Sequence, residues 1–287
     1  MGSVSDFVDV VCRERGAVLM GVLNTTPDSF FDGGRYLTPN AARARVDELL
    51  AAGADIIDIG SESTRPGAEA VAAAEQIARA EAALGHAIER GAYVSIDTTS
   101  PDVARYALSR GAHIVNDVSC LADGGLAEVA RDYDAILLMM HSRGSMRRMP
   151  GFSNYPESGY GDVVVDVARE WRASSERALD RGLSADRLWF DPGLGFHKSA
   201  VQSAALLKRL EEFAGLGALL AVGPSRKSFI GALDRSEPTD RLGGTIAACL
   251  RAVDAGARVL RVHDVQAVRQ ALLARRAFAR PLETGHA

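Results

Sequence analysis

Short apolar runs alternate with longer amphipathic stretches along the whole chain. The runs Val18–Asn24, Ile56–Gly60, Tyr93–Asp97, Ile114–Asp117, Ala135–His141, Leu188–Asp191, Leu219–Val222 and Val259–Val262 are rich in branched apolar residues, and most lack a polar face. That is the pattern of strands covered on both sides, as in a parallel sheet. Between them, Pro39–Ala52, Ala70–Arg90, Pro101–Arg110, Asp162–Arg181 and Thr239–Ala255 read as helices, and Val265–Ala279 follows the last run. In Asp162–Arg181, the residues Val164, Val167, Ala168, Trp171 and Ala178 recur at helical spacing. Gly-Ala pairs starting at Gly53, Gly91, Gly111 and Gly256 each separate a helical stretch from the next run. Glycine there supplies the left-handed residue that ends a helix.

Eight strands each followed by a helix predict an α/β fold, the (β/α)8 TIM barrel, as a single domain over residues 16–279. Residues 1–15 read as an N-terminal extension and 280–287 as a tail. An open doubly wound sheet is the rival, and the polar residues separate the two. Asn24, Asp97, Asn116, His141, Asp191 and His263 fall at or just past the C-terminal ends of runs, and Ser225, Arg226 and Lys227 follow the seventh. A barrel gathers such positions around one mouth, whereas an open sheet concentrates them at one switch point. The longest connection, Ser142–Ser158, is expected to be the most mobile.

The 287 residues carry a net charge of -4, which disfavours nucleic acid or an acidic membrane as partner. Cys12, Cys120 and Cys249 are odd in number and contain no CxxC, as expected of a reduced, cytoplasmic protein. No apolar run has the length of a membrane helix, and no signal peptide is read at the N-terminus.

The strand ends suggest chemistry. Thr64 and Arg65, in the loop after the second strand, can present a hydroxyl and a guanidinium to phosphate oxygens, or simply form a solvated turn. Asp97, Asn116 and Asp191 can receive hydrogen bonds from a planar polar ligand, or cap the helices that follow. Lys227, Arg261 and His263 form a cationic group that suits an anionic ligand, or else pairs with the mouth carboxylates. Gly193–Ser199 lacks the glycines of a P-loop or a dinucleotide fingerprint; its glycines let backbone approach a flat ligand. No HExxH spacing or GxSxG elbow occurs, so neither zinc nor covalent catalysis is signalled.

Taken in order, the motifs resemble the dihydropteroate synthase family of pterin-binding barrels. They are Gly21–Phe30, Glu62–Ala68, Ser95–Thr98, Val115–Asp117, Met140-His141, Asp191–Phe196, Ser225–Phe229 and Arg261–Val265. The resemblance implies condensation of a dihydropterin methylene diphosphate with p-aminobenzoate, giving dihydropteroate and diphosphate in folate synthesis. It implies that Asp97, Asp191 and Lys227 are catalytic and, with Asn116, hold the pterin, and that Met140 and Gly223 also contact substrate. Asn24 would help place Mg2+ and the diphosphate. Thr64, Arg65, Arg261 and His263 would bind the diphosphate. Phe30, Pro66, Phe196 and Ser225 would border the p-aminobenzoate pocket. A homodimer and sensitivity to sulfonamides are also implied. Thr25, Phe31, Ser61, Thr99, Ser100, Ser142 and His197 depart from the residues common in the family at those places. A noncatalytic pterin-binding paralogue and a corrinoid methyltransferase-like barrel are the alternatives.

Overall fold

The computed structural model describes residues 3–26, 38–63 and 67–279. Its strands are β1 (Val18–Asn24), β2 (Ile56–Gly60), β3 (Tyr93–Asp97), β4 (Ile114–Asp117), β5 (Ile136–Met140), β6 (Leu188–Asp191), β7 (Leu219–Val222) and β8 (Val259–Val262). Each pairs in parallel with the next, and β8 returns to β1, closing the barrel. The boundaries match the apolar runs almost residue for residue, because a strand buried on both faces ends where polar residues begin.

The helices are α1 (Val4–Arg15), α2 (Pro39–Ala51), α3 (Ala73–Glu89), α4 (Pro101–Ser109), α5 (Gly125–Asp132), α6 (Val163–Asp180), α7 (Ala200–Lys208), α8 (Ser228–Asp234), α9 (Leu242–Asp254) and α10 (Val265–Ala279). Side chains alternate along each strand, so one set points outward to the helices and the other to the barrel axis. The outward set, including Leu19, Leu23, Ile57, Ile59, Val94 and Val115, forms one core with the helices. The axial set forms a second, with Val18, Met20, Ile56, Ile114, Ile136, Leu138 and Trp189.

Residues 4–15 are not a loose extension. They form α1, whose start is capped by Ser3 Oγ accepting from the Asp6 N–H at 3.1 Å. Val4, Val8 and Val11 are buried in the axial core, and the Phe7 ring lies 4.5 Å from that of Tyr93. The helix therefore plugs the N-terminal end of the barrel. Arg15 anchors it through an ion pair with Asp55, whose carboxylate also accepts from the Leu19 N–H at 2.7 Å.

The Ser142–Ser158 connection is tied down at several points. Ser142 Oγ donates to the Val118 carbonyl at 2.9 Å, and Ser153 N–H donates to that of Gly195 at 3.1 Å. Ser228 Oγ donates to Ser153 Oγ at 2.7 Å. Met149 is buried against Val118, Met140 and Phe196.

Candidate functional site

On the axial face, each strand changes from apolar to polar as it rises. Met20 is followed by Asn24, Ile56 by Asp58 and Gly60, Tyr93 by Ser95 and Asp97, and Ile114 by Asn116. Trp189 is followed by Asp191, Ala221 by Gly223, and Val259 by Arg261 and His263. The period of two carries these residues to one mouth above an apolar floor.

Charges at this mouth interlock. Arg261 Nε donates to Asp58 at 2.6 Å and its Nη2 donates to Asp97 at 2.8 Å. Asn116 Nδ2 donates to the two Asp58 oxygens at 3.4 and 3.3 Å. One guanidinium cannot neutralise two buried carboxylates fully. Burial raises Asp97 to about 7, against the pull of Arg261, with the Asp58 charge adding to the rise. Burial alone would weaken the Arg261 cation, but the charges of Asp58 and Asp97 hold its pKa above the ordinary arginine value.

Across the mouth, burial raises Asp191, opposed by the Lys227 charge and by the Gly193 N–H, which donates to Oδ1 at 2.7 Å. Burial lowers Lys227 to about 8, with Asp191 opposing. Its Nζ stands 4.6 Å from the centre of the Phe196 ring. Gly223 lies between the two halves: a methyl there would stand 3.7 Å from Asp191 Oδ2 and 3.6 Å from Arg261 Cβ. A methyl on Gly60 would stand 3.2 Å from Asn24 Oδ1 and 3.7 Å from Asp97 Oδ2, so both oxygens border the space over that glycine. Ser225 Oγ accepts from the His263 N–H at 3.2 Å and lies 3.1 Å from its Nδ1. Val118, Met140, Met149 and Phe196 supply an apolar surface beside these groups. A cavity of about 470 Å³ opens next to Asp97, bordered by Thr98, Val118, Ser119, Gly144 and Met146.

This differs from a cationic wall opposing an acidic one. Arg261 sits among the carboxylates, because a buried charge needs an adjacent partner. His263 is not a cation: burial, then the Arg261 charge, pushes it down to about 3. His141 is turned away from the mouth, fully buried, with Nε2 3.1 Å from Glu170 of α6. Asp117 faces outward and accepts from the N–H groups of Ser119 and Leu121 at 2.8 and 2.5 Å. Arg226, at φ 54°, grips both Asp264 oxygens at 2.7 Å and so holds the turn that presents Ser225 and Lys227. Thr64, Arg65, Phe30 and Pro66 lie outside the described residues.

Two site residues escape the sequence reading, Asp58 and Lys198. Asp58 was legible as an acid inside the apolar run Ile56-Ile57-Asp58-Ile59, a position tolerable only with partners. Lys198 gave a weaker signal. Among the departures from the family pattern, two meet each other: Thr25 Oγ1 and Ser61 Oγ lie 3.0 Å apart, both buried.

The chain belongs to the pterin binding enzyme family, whose profile matches residues 20–263. It is 42% identical over 256 residues to the dihydropteroate synthase of a Synechocystis species, covering 88% of this chain and 86% of that one. A Yersinia pestis dihydropteroate synthase solved with a sulfonamide drug superposes with a TM-score of 0.85 at 34% identity, over 91% of this chain and 93% of that one. The Thermus thermophilus dihydropteroate synthase in complex with 4-aminobenzoate gives 0.79 at 38%, over 91% and 94%. The activity of the present chain is dihydropteroate synthesis, a transfer reaction of folate biosynthesis.

Proposed function

We infer that the mouth itself carries the transfer of a dihydropterin methylene group from diphosphate to p-aminobenzoate. The observation that carries this reading is the interlocked set of Asp58, Asp97, Asn116 and Arg261 facing Asp191 and Lys227 across Gly223. The pterin ring offers paired N–H donors, and Asp97, Asn116 and Asp191 offer oxygen acceptors with too little positive charge around them. A ring carrying such donors would lower the raised pKa values of both carboxylates, so its binding is favoured where water is excluded.

The methylene–oxygen bond then breaks, and its electron pair leaves with the diphosphate. Asp97 and Asp191 stabilise the positive charge left on the pterin. The arylamine nitrogen attacks the methylene carbon and gives up one proton. No nucleophile from the protein is needed. Lys227 and Arg261 hold the oxygens of the departing anion, and Phe196 with Ser225 borders the arylamine.

Among the described residues, no three His, Cys, Asp or Glu side chains converge to cage an ion. Mg2+ carried by a diphosphate needs only one or two protein oxygens, the rest coming from water and phosphate. Asn24 Oδ1, facing the space over the bare backbone of Gly60 that Asp97 Oδ2 also borders, is an oxygen donor of that kind. When bound, Mg2+ would neutralise charge on the leaving diphosphate. The Yersinia complex supports sulfonamides as competitors of the arylamine here. A homodimer is supported by the exposed apolar side chains Val201, Leu233 and Phe278 on α7, α8 and α10.

The test is direct. Purified protein with dihydropterin diphosphate, p-aminobenzoate and Mg2+ is expected to release one diphosphate per dihydropteroate, and a sulfonamide to slow both. Tight pterin binding without either product would leave a noncatalytic binding protein instead.

A further inference from the structure

Of the 33 basic residues, only three are lysines: Lys198, Lys208 and Lys227. Arginine has every other basic position, including the surface ion pairs of the helices. Lys208 is exposed on α7. The other two belong to the mouth and to the loop after β6 beside it. In a chain this biased toward arginine, a lysine held inside marks a place where a compact ammonium fits and a planar fork does not.

Lys198 is completely buried. Its Nζ donates to the Phe196 carbonyl at 2.9 Å and the His141 carbonyl at 3.2 Å, and it lies 3.0 Å from His141 Nδ1. An ammonium has three protons to give, and here it meets three acceptors. Accepting at Nδ1 leaves the His141 proton on Nε2, facing Glu170 at 3.1 Å. Arg143 completes the row by pairing with Glu170. Burial, then the Lys198 charge, pushes His141 down to about 3, so the ring is a neutral relay between a carboxylate and an ammonium.

This row runs beneath the loop after β6. That loop carries Asp191 at its start and Phe196 near its end, and it approaches β5 closely: a methyl on Gly193 would stand 2.1 Å from the His141 carbonyl oxygen. Lys198 bonds the carbonyl of Phe196 to the end of β5, and the Phe196 ring in turn lies against Lys227 Nζ. The titratable and charged groups facing Lys198 are His141 after β5, Asp191 of β6, His197 next to it in the chain, Lys227 after β7, Cys120 after β4 and Arg143 after β5.

We propose that Lys198 is a positioning residue of the transfer site: it clamps the loop after β6 to the end of β5 and, as a second ammonium near Asp191, sets the field in which Asp191 works. Its own pKa is lowered to about 7, by burial first, with Asp191 opposing and Lys227 adding to the fall. The inference rests on the reading of the mouth given above.

The scarcity of lysine makes the test clean. Protein labelled with 13C at lysine Cε has three lysine signals, and Lys208→Arg identifies one of them. We expect Lys198 and Lys227 to titrate below Lys208. Lys227→Met should raise the Lys198 midpoint, and Lys198→Met should move the acidic limb of kcat/KM upward by about half a pH unit or more, because Asp191 loses a cation that lowers its pKa. The same variant should lower kcat/KM about tenfold or more, and Lys198→Arg should not restore it. Lys208→Arg should match the wild type.

A Lys198→Met protein that melts earlier yet keeps the wild-type acidic limb of kcat/KM would reduce Lys198 to a structural role and overturn the proposal. If Lys198→Met does not fold, Glu170→Gln, altered at the partly exposed end of the row, should lower both the Lys198 midpoint and kcat/KM. An unmoved Lys198 midpoint in that variant overturns the proposal equally. A wild type without turnover would sink the functional reading instead, and the Lys198 midpoint with and without Lys227 would still decide whether the buried ammonium is coupled to the mouth.

Discussion

Asp97 has a pKa near 7 because desolvation outweighs the half-share of Arg261 it receives. A carboxylate raised in the folded state contributes stability that is full below its unfolded value of 3.8 and is lost as pH rises through about 7. Asp97→Asn removes that loss. We therefore expect the stability of the variant, relative to wild type, to grow between pH 5 and pH 8 in urea titrations. A pH-independent difference would mean that Arg261 already keeps Asp97 ionised across this range. The same arithmetic explains why the mouth suits its ligand: the carboxylates are strained toward protonation until hydrogen-bond donors arrive. Of these residues, Asp97, Asn116, Asp191, Lys227 and Arg261 were legible because each breaks an apolar run or directly follows one. Asp58 stands inside its run rather than at the end, where the barrel pattern alone does not mark a site residue. Lys198 was obscured because a loop lysine is normally solvated, and nothing local to Gly195-Phe196-His197 shows that the next side chain folds inward.

At the scale of elements, α1 shows how a polar-looking segment can be structural. Its valines at positions 4, 8 and 11 are spaced for one helical face, but Asp6, Asp9, Arg13 and Glu14 make the stretch read as an extension. Only the open floor of the barrel gives that face something to cover. Val8→Ala should cost about 2 kcal/mol in urea unfolding, from lost burial and the cavity left behind, with kcat/KM unchanged. Loss of activity in proportion to stability would instead couple the floor to the mouth. The short helices α5, α7 and α8 also escape a reading based on periodicity, since two turns hold too few apolar repeats. The start of α7 was nonetheless encoded: Ser199 and Gln202 form reciprocal side-chain to backbone bonds.

For the whole molecule, the barrel leaves apolar side chains outside the core only in places. Leu233 on α8 is 81% exposed and Phe278 on α10 is 84% exposed. If these faces join two copies, sedimentation equilibrium should give twice the 30.4 kDa chain mass, and Leu233→Glu should shift the equilibrium toward single chains. An unshifted dimer would place the interface elsewhere.

The sequence by itself determined the number, order and parallel character of the strands, because two-faced burial leaves uninterrupted apolar runs and forces a helix between neighbours. It also determined which chemical groups stand at strand ends. Tertiary structure alone decided how those groups share charge. Barrel closure sets β8 beside β1, so Arg261 reaches Asp58 and Asp97 across the mouth and cannot serve as an isolated cation. Burial then holds His263 neutral and draws Lys198 beneath the loop after β6. Proton affinities of this kind depend on desolvation and on neighbours remote in the chain, quantities that no local pattern of residues contains.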